Sequence, residues 1–252
     1  MEQVPGAPAK PPGFVSLVDC RGIPNDDKDD TAAFDKCLSA SKNIFIPEGV
    51  FTLTTKELSV PGVTIRGSGV WRSTLKGVFA RFDCDKSGCK FYDFMMDGDT
   101  NHRDDSAPET AFTGNGVSGT VIEHIWVEHK RIGVWPGDNT NGLTIRNSRI
   151  RDLFADGVNL ACGTSNALVE HVHARNTGDD AFAAWSLNKC GSNHDNTFKN
   201  VYAQLPSGGG CGILAQGPGA ADMANVTVAG ASAPLCNEKG FDFIEGVGNS
   251  GW

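Results

Sequence analysis

The run GTVIEHIWVEH (119–129), followed by GLTIRNSRIRD (142–152) and NALVEHVHARN (166–176), decides the fold. Each segment alternates apolar and polar residues, breaks at one polar residue, and alternates again. Alternation at period two marks a half-buried strand, so each segment reads as two short strands. NTFKNVYAQLP (196–206) and DMANVTVAGAS (222–232) repeat the pattern, and weaker copies surround Gly67 and Asp93. The residues at the break are His124, Asn147, His171, Asn200 and Asn225, in steps of 23, 24, 29 and 25. A period in the twenties built from strands is the signature of a solenoid. The Leu ladder of a leucine-rich repeat is missing. Short β-branched strands joined by Gly-rich turns point instead to an all-β, right-handed parallel β-helix. Coils then lie about 4.8 Å apart and equivalent residues stack. The Asn/His series is read as such a stack, with side chains bonding along the axis. Asn225 is accordingly expected to be buried and unmodified, although Asn225-Val226-Thr227 is a glycosylation sequon.

Residues 1–13, rich in Pro, Ala and Gly, read as a flexible segment, and 14–252 as one β-helix domain. Asp29 to Leu38 carries a cap residue and then apolar residues at helical spacing, the pattern of a short helix. Placed here, it would cover the open end of the solenoid, whose backbone edge needs protection. The last residues, FDFIEGVGNSGW, read as the start of another strand, which predicts a domain continuing past Trp252. The net charge is −8 without a Lys/Arg run, which argues against nucleic acid and favours a neutral or weakly charged partner. No apolar run approaches the roughly 20 residues of a membrane span. Eight cysteines are many for a reducing compartment. Disulfides are expected, with Cys20–Cys37 and Cys84–Cys89 as local bridges, and so is an extracellular location, although residues 1–13 lack the apolar core of a signal peptide. The protein is expected to act as a monomer.

A second set of strands follows the repeats: GVWPG (133–137), GVNLACG (157–163), AFAAWS (181–186) and GILAQG (212–217). Asp156 precedes one of them and Asp179-Asp180 another. Asp156 and Asp180 are 24 residues apart, the local repeat length, so they should stack on one face with Asp179 beside them. Like charges so close push at least one pKa upward. That sets a proton donor next to a base, the equipment of glycoside hydrolysis. Asp and Gly are also ordinary turn residues, and clustered carboxylates also suit calcium. The hydrolytic reading needs no metal or cofactor. Trp135 and Trp185 flank the patch and offer rings on which a sugar face can pack, and Gln216, one coil on, can bond a hydroxyl.

The words Phe154-Ala155-Asp156-Gly157-Val158-Asn159 and Arg175-Asn176-Thr177-Gly178-Asp179-Asp180, with Ala183-Ala184-Trp185-Ser186 after them, resemble glycoside hydrolase family 87, the α-1,3-glucanases and mycodextranases. HIWVEHKRIGVW (124–135) and NTFKNVYAQLP (196–206) are similar to that family too. The resemblance implies an inverting hydrolase of α-1,3-glucan with catalytic aspartates at Asp156, Asp179 and Asp180. Polygalacturonases share the Asp, then Asp-Asp arrangement; by that likeness Asp179 is the acid, and Asp156 with Asp180 holds the water. They also carry a His-Gly and an Arg-x-Lys for an acidic sugar. Here Gly212-Ile213 lacks the His and no Arg-x-Lys follows, so a neutral glucan is the expected substrate. A polygalacturonase-like uronan enzyme and a glycan-binding β-helix without catalysis are the alternatives.

Overall fold

The computed structural model describes residues 6–107, 109–114, 118–186 and 191–204, and beyond them the strands Ile213–Gln216, Met223–Ala224, Thr227–Ala229, Leu235–Asn237 and Ile244–Glu245. The chain winds as a parallel β-helix with three strand faces per coil. In one coil these are Thr144–Arg146, Arg149–Arg151 and Val158–Ala161. In the next they are Leu168–Glu170, His173–Arg175 and Phe182–Trp185. Pairing is parallel and in register on every face: Ile145 with Val169, Ile150 with Ala174, Val158 with Phe182. The inward residues Ile145, Ile150, Val158 and Leu160 are all buried, so strand alternation fills a continuous core along the axis.

The corner between the first two faces carries the residues that broke the sequence pattern. Asp93, His124, Asn147, His171 and Asn200 have φ of 63, 51, 52, 52 and 51°. Asn, Asp and His tolerate this left-handed conformation better than other non-glycine residues. A second column, His129, Asp152 and Asn176, turns the next corner with φ of 49, 53 and 53°. The side chains do stack in part: the Asn200 amide lies 3.0 Å from His171 Nε2, and His124 Nδ1 3.3 Å from Asp93. Asn147 reaches Glu123 instead. His124, Asn147, His171 and Asn200 are all exposed, so the backbone bend, more than an axial ladder of side chains, selects these residue types. Asn225 lies outside the described residues.

The helix spans Thr31–Ala40 and buries Phe34 and Cys37. Its N-cap residue Asp30 ties it to the first coils, accepting the N–H groups of Ile23 and Thr52 at 3.0 and 3.2 Å. The Cys20–Cys37 disulfide pins it from the other side; Cys84–Cys89 is also bonded, and Cys162 is disulfide-bonded as well. Among the described residues no helix is long and apolar enough to cross a membrane.

Two features of the interior stand out. Lys130 is fully buried and donates to the Gly77 and Val78 carbonyls at 3.3 and 2.8 Å. Burial pulls its pKa down to about 7. Phe82 sits at the centre of an aromatic cluster, with Phe91 at 5.1 Å, Phe94 at 6.0 Å, Phe112 at 6.1 Å and helix residue Phe34 at 6.1 Å between ring centroids. Because it joins helix and coils, Phe82→Ala is expected to cost about 3–5 kcal/mol, read as a lowered denaturant midpoint at unchanged slope.

Candidate active site

The loop 152–157 leads from the second face to the third, and 176–181 does the same one coil on. Their backbones are hydrogen-bonded to each other: Leu153 N donates to Asn176 O at 3.2 Å, and Gly157 N to Asp180 O at 2.8 Å. Stacking is tight enough to dictate glycine. A Cβ on Gly157 would overlap the Ala181 carbonyl, and one on Gly178 the Phe154 backbone.

This packing brings the three aspartates together. Asp156, Asp179 and Asp180 each present an oxygen within 4.8 Å of the others. Asp156 is held at both oxygens. One of its oxygens accepts the Asp180 N–H at 3.1 Å and the other the Asn159 amide at 2.8 Å. Burial, with the Asp179 charge beside it, raises its pKa, while the Asn159 and Asp180 donors oppose the rise. Asp180 is 8% exposed, whereas the Asp179 side chain is 36% exposed. The Asp179 carboxylate faces outward and accepts from Arg103 Nη1 at 2.9 Å. Arg103 is held in turn by Asp105 at 3.0 Å, which Arg131 also approaches at 3.6 Å.

Along the same sheet, toward the N-terminal end, a cavity of about 290 Å³ is lined by Thr110, Thr113, Arg131, Trp135 and Asp138. Trp135 is half-buried, with the Arg131 guanidinium 5.9 Å from its ring centroid. Trp185 and Gln216 are partners in register on neighbouring strands of this sheet; their side chains lie outside the described residues. Trp135, Trp185 and Gln216 therefore share the sheet on which the aspartates open.

A family model described as α-1,3-glucanase catalytic domain D2 matches residues 28–231. The chain belongs to that α-1,3-glucanase family. Among solved structures it is similar to the catalytic unit of the thermostable GH87 α-1,3-glucanase from Streptomyces thermodiastaticus strain HF3-3, with TM-score 0.76 and 29% identity over 92% of this chain and 43% of that one. The Agl-KA catalytic domain matches with TM-score 0.65 and 26% identity, over 97% of this chain and 48% of that one. A variant GH87 α-1,3-glucanase catalytic domain in complex with tetrasaccharides matches with TM-score 0.66 and 26% identity, over 90% and 42%. The chain thus spans less than half the length of these glucanase structures. A comparison with curated protein sequences gives no match.

Sequence reasoning missed Arg103 and Asn159. Asn159 was legible in principle, as the polar outward residue between inward Val158 and Leu160. Arg103 gave no signal, because it meets Asp179 from 76 residues away through a loop outside the repeat.

The raised pKa of Asp156 has a sign for stability. Its neutral form is favoured in the folded state, so that stabilisation is complete below the ordinary carboxylate value of 3.8 and is lost as pH rises through the folded pKa. Above the folded pKa the ionised group is a liability. Asn159 Oδ1, buried without a hydrogen bond, could accept from an amide after a flip. Asp156→Asn should therefore raise the melting temperature at pH 7, and the gain should shrink on acidification toward pH 3.8, checked by thermal melts across that range.

Proposed function

We propose that this chain hydrolyses α-1,3-glucosidic bonds inside a neutral glucan, with inversion, through Asp156, Asp179 and Asp180. The reading is carried by three carboxylates whose oxygens meet within 4.8 Å in a chain of this family. Asp179, whose side chain is 36% exposed, donates a proton to the glycosidic oxygen as the C1–O bond breaks. Asp156 and Asp180 hold a water and take its proton as its oxygen attacks C1. The carboxylate whose pKa is raised is Asp156, which in this scheme takes up the proton of the water. Arg103 fills the outer side of Asp179, so the substrate oxygen would take its place. Trp135, Trp185 and Gln216 would line the sugar path, with rings for pyranose faces and an amide for a hydroxyl. The disulfides suit work outside the cell, and the monomer is the proposed unit.

One distance favours a second stereochemical reading. Inverting carboxylates commonly stand about 6.5–9.5 Å apart and retaining ones about 5–5.5 Å, with one acting as nucleophile. The present oxygens lie within 4.8 Å of one another. Inversion is preferred because a third carboxylate lets two of them share the water. Proton NMR of the first product decides: β-anomer is expected, and α-anomer would overturn inversion.

Reducing-sugar release should appear with α-1,3-glucan or nigeran, and not with dextran or polygalacturonate. Asp156→Asn, Asp179→Asn and Asp180→Asn should each lower it about 10²–10⁴-fold. Release that survives these substitutions would sink the mechanism, and no release from any polymer would favour the glycan-binding alternative. The kcat/KM profile should lose activity on the acid side as Asp156 protonates, with that limb above pH 3.8.

A further inference from the structure

A second cavity, about 400 Å³, lies on a different corner of the coil from the aspartates. Its floor is the corner column Asp93, His124 and Asn147, between the first and second faces. The aspartates open between the second face and the third, so an occupant of one place does not contact the other.

Two tryptophans build its wall. Trp71 stands on the turn between the strands Thr64–Gly67 and Ser73–Lys76 and is 75% exposed. It is the most exposed large hydrophobic residue described. Trp126 is 3% exposed and meets Trp71 edge-on, ring centroids 4.2 Å apart at 85°. The Trp126 ring is clamped by Arg151 at 4.1 Å and Arg149 at 5.5 Å, which fixes its plane. Trp is highly buried on average, so an indole left in water against a second, rigid indole makes an exposed aromatic pair beside a cavity.

The rim identifies the chemistry of the occupant. Arg72 is paired with Glu48 and Asp93 with Arg66, while Arg149 lies over the Trp126 ring. Among the described residues the lining charges are thus of both signs and mostly paired, a weak field for drawing an anion or a cation. The rim still offers donors and acceptors close to an aromatic face: the Asn147 amide, the His124 ring and the Arg149 guanidinium. The indole N–H of Trp126 is buried without a protein acceptor. An apolar ring face beside dispersed hydrogen-bonding groups fits a neutral pyranose, which has a C–H face and a rim of hydroxyls.

We infer that the Trp71–Trp126 cavity is a second, non-catalytic sugar site that holds one or two glucose units of a neutral glucan strand. For the polymer's identity it rests on the glucan reading above. Its role is avidity: a strand held at this corner raises the local concentration of polymer at the aspartates.

The test uses the whole chain carrying Asp179→Asn, so that bound polymer is not degraded, and measures adsorption to insoluble α-1,3-glucan, dextran, starch and polygalacturonate. Trp71→Ala is expected to weaken adsorption to α-1,3-glucan at least tenfold, and Trp71→Tyr to restore most of it. In the chain with Asp179 intact, Trp71→Ala should slow hydrolysis of the insoluble polymer and leave turnover of short soluble oligosaccharides unchanged. Trp71 is exposed, so an unchanged melting temperature is expected and excludes unfolding. Unchanged adsorption on Trp71→Ala, or equal losses on soluble and insoluble substrates, would overturn the site. Loss of Trp71-dependent adsorption to a different neutral polymer would uphold the site and overturn the α-1,3-glucan reading.

Discussion

Hydrogen bonding between successive coils, in register and at one strand spacing, is the constraint on which the rest of this molecule depends. Gly157 N reaching Asp180 O, and Asp152 N reaching Arg175 O, are ordinary backbone bonds. Their consequence is that residues one period apart become neighbours on every face. Asp156 and Asp180 meet for the same reason that Val158 meets Phe182. The loops joining second and third faces obey the rule as strictly as the strands, and that closeness explains the glycines at 157 and 178. A solenoid with looser loops would give the same core and lose the carboxylate patch.

The patch is electrostatically unfavourable at Asp156. Asp156 keeps its raised pKa despite two hydrogen-bond donors, because burial and the Asp179 charge outweigh them. Arg103 faces Asp179 from the open side, where an incoming sugar would also arrive. The strain therefore sits where chemistry is proposed, while the Phe82 cluster and the tied N-terminal helix supply stability elsewhere.

The corner residues carry two meanings that the sequence merges. Their spacing reveals the coil, and their chemistry follows from the bend. His124 and His171 belong to this structural column because an imidazole, like Asn, tolerates a left-handed backbone. The column also floors a cavity, so one set of turn residues both sets the coil geometry and contributes to the proposed sugar site.

The sequence alone determined the parallel β-helix, the capping helix, the two local disulfides and the adjacency of the three aspartates. It could do so because all but the helix and bridges are periodic, and in-register hydrogen bonding turns a 24-residue spacing into contact. Only the tertiary structure decided that Arg103 faces Asp179, that Lys130 is buried, and that Trp71 rests on Trp126. These contacts depend on loops and turns whose path interrupts the period, and spacing carries no information about where such a segment comes to rest.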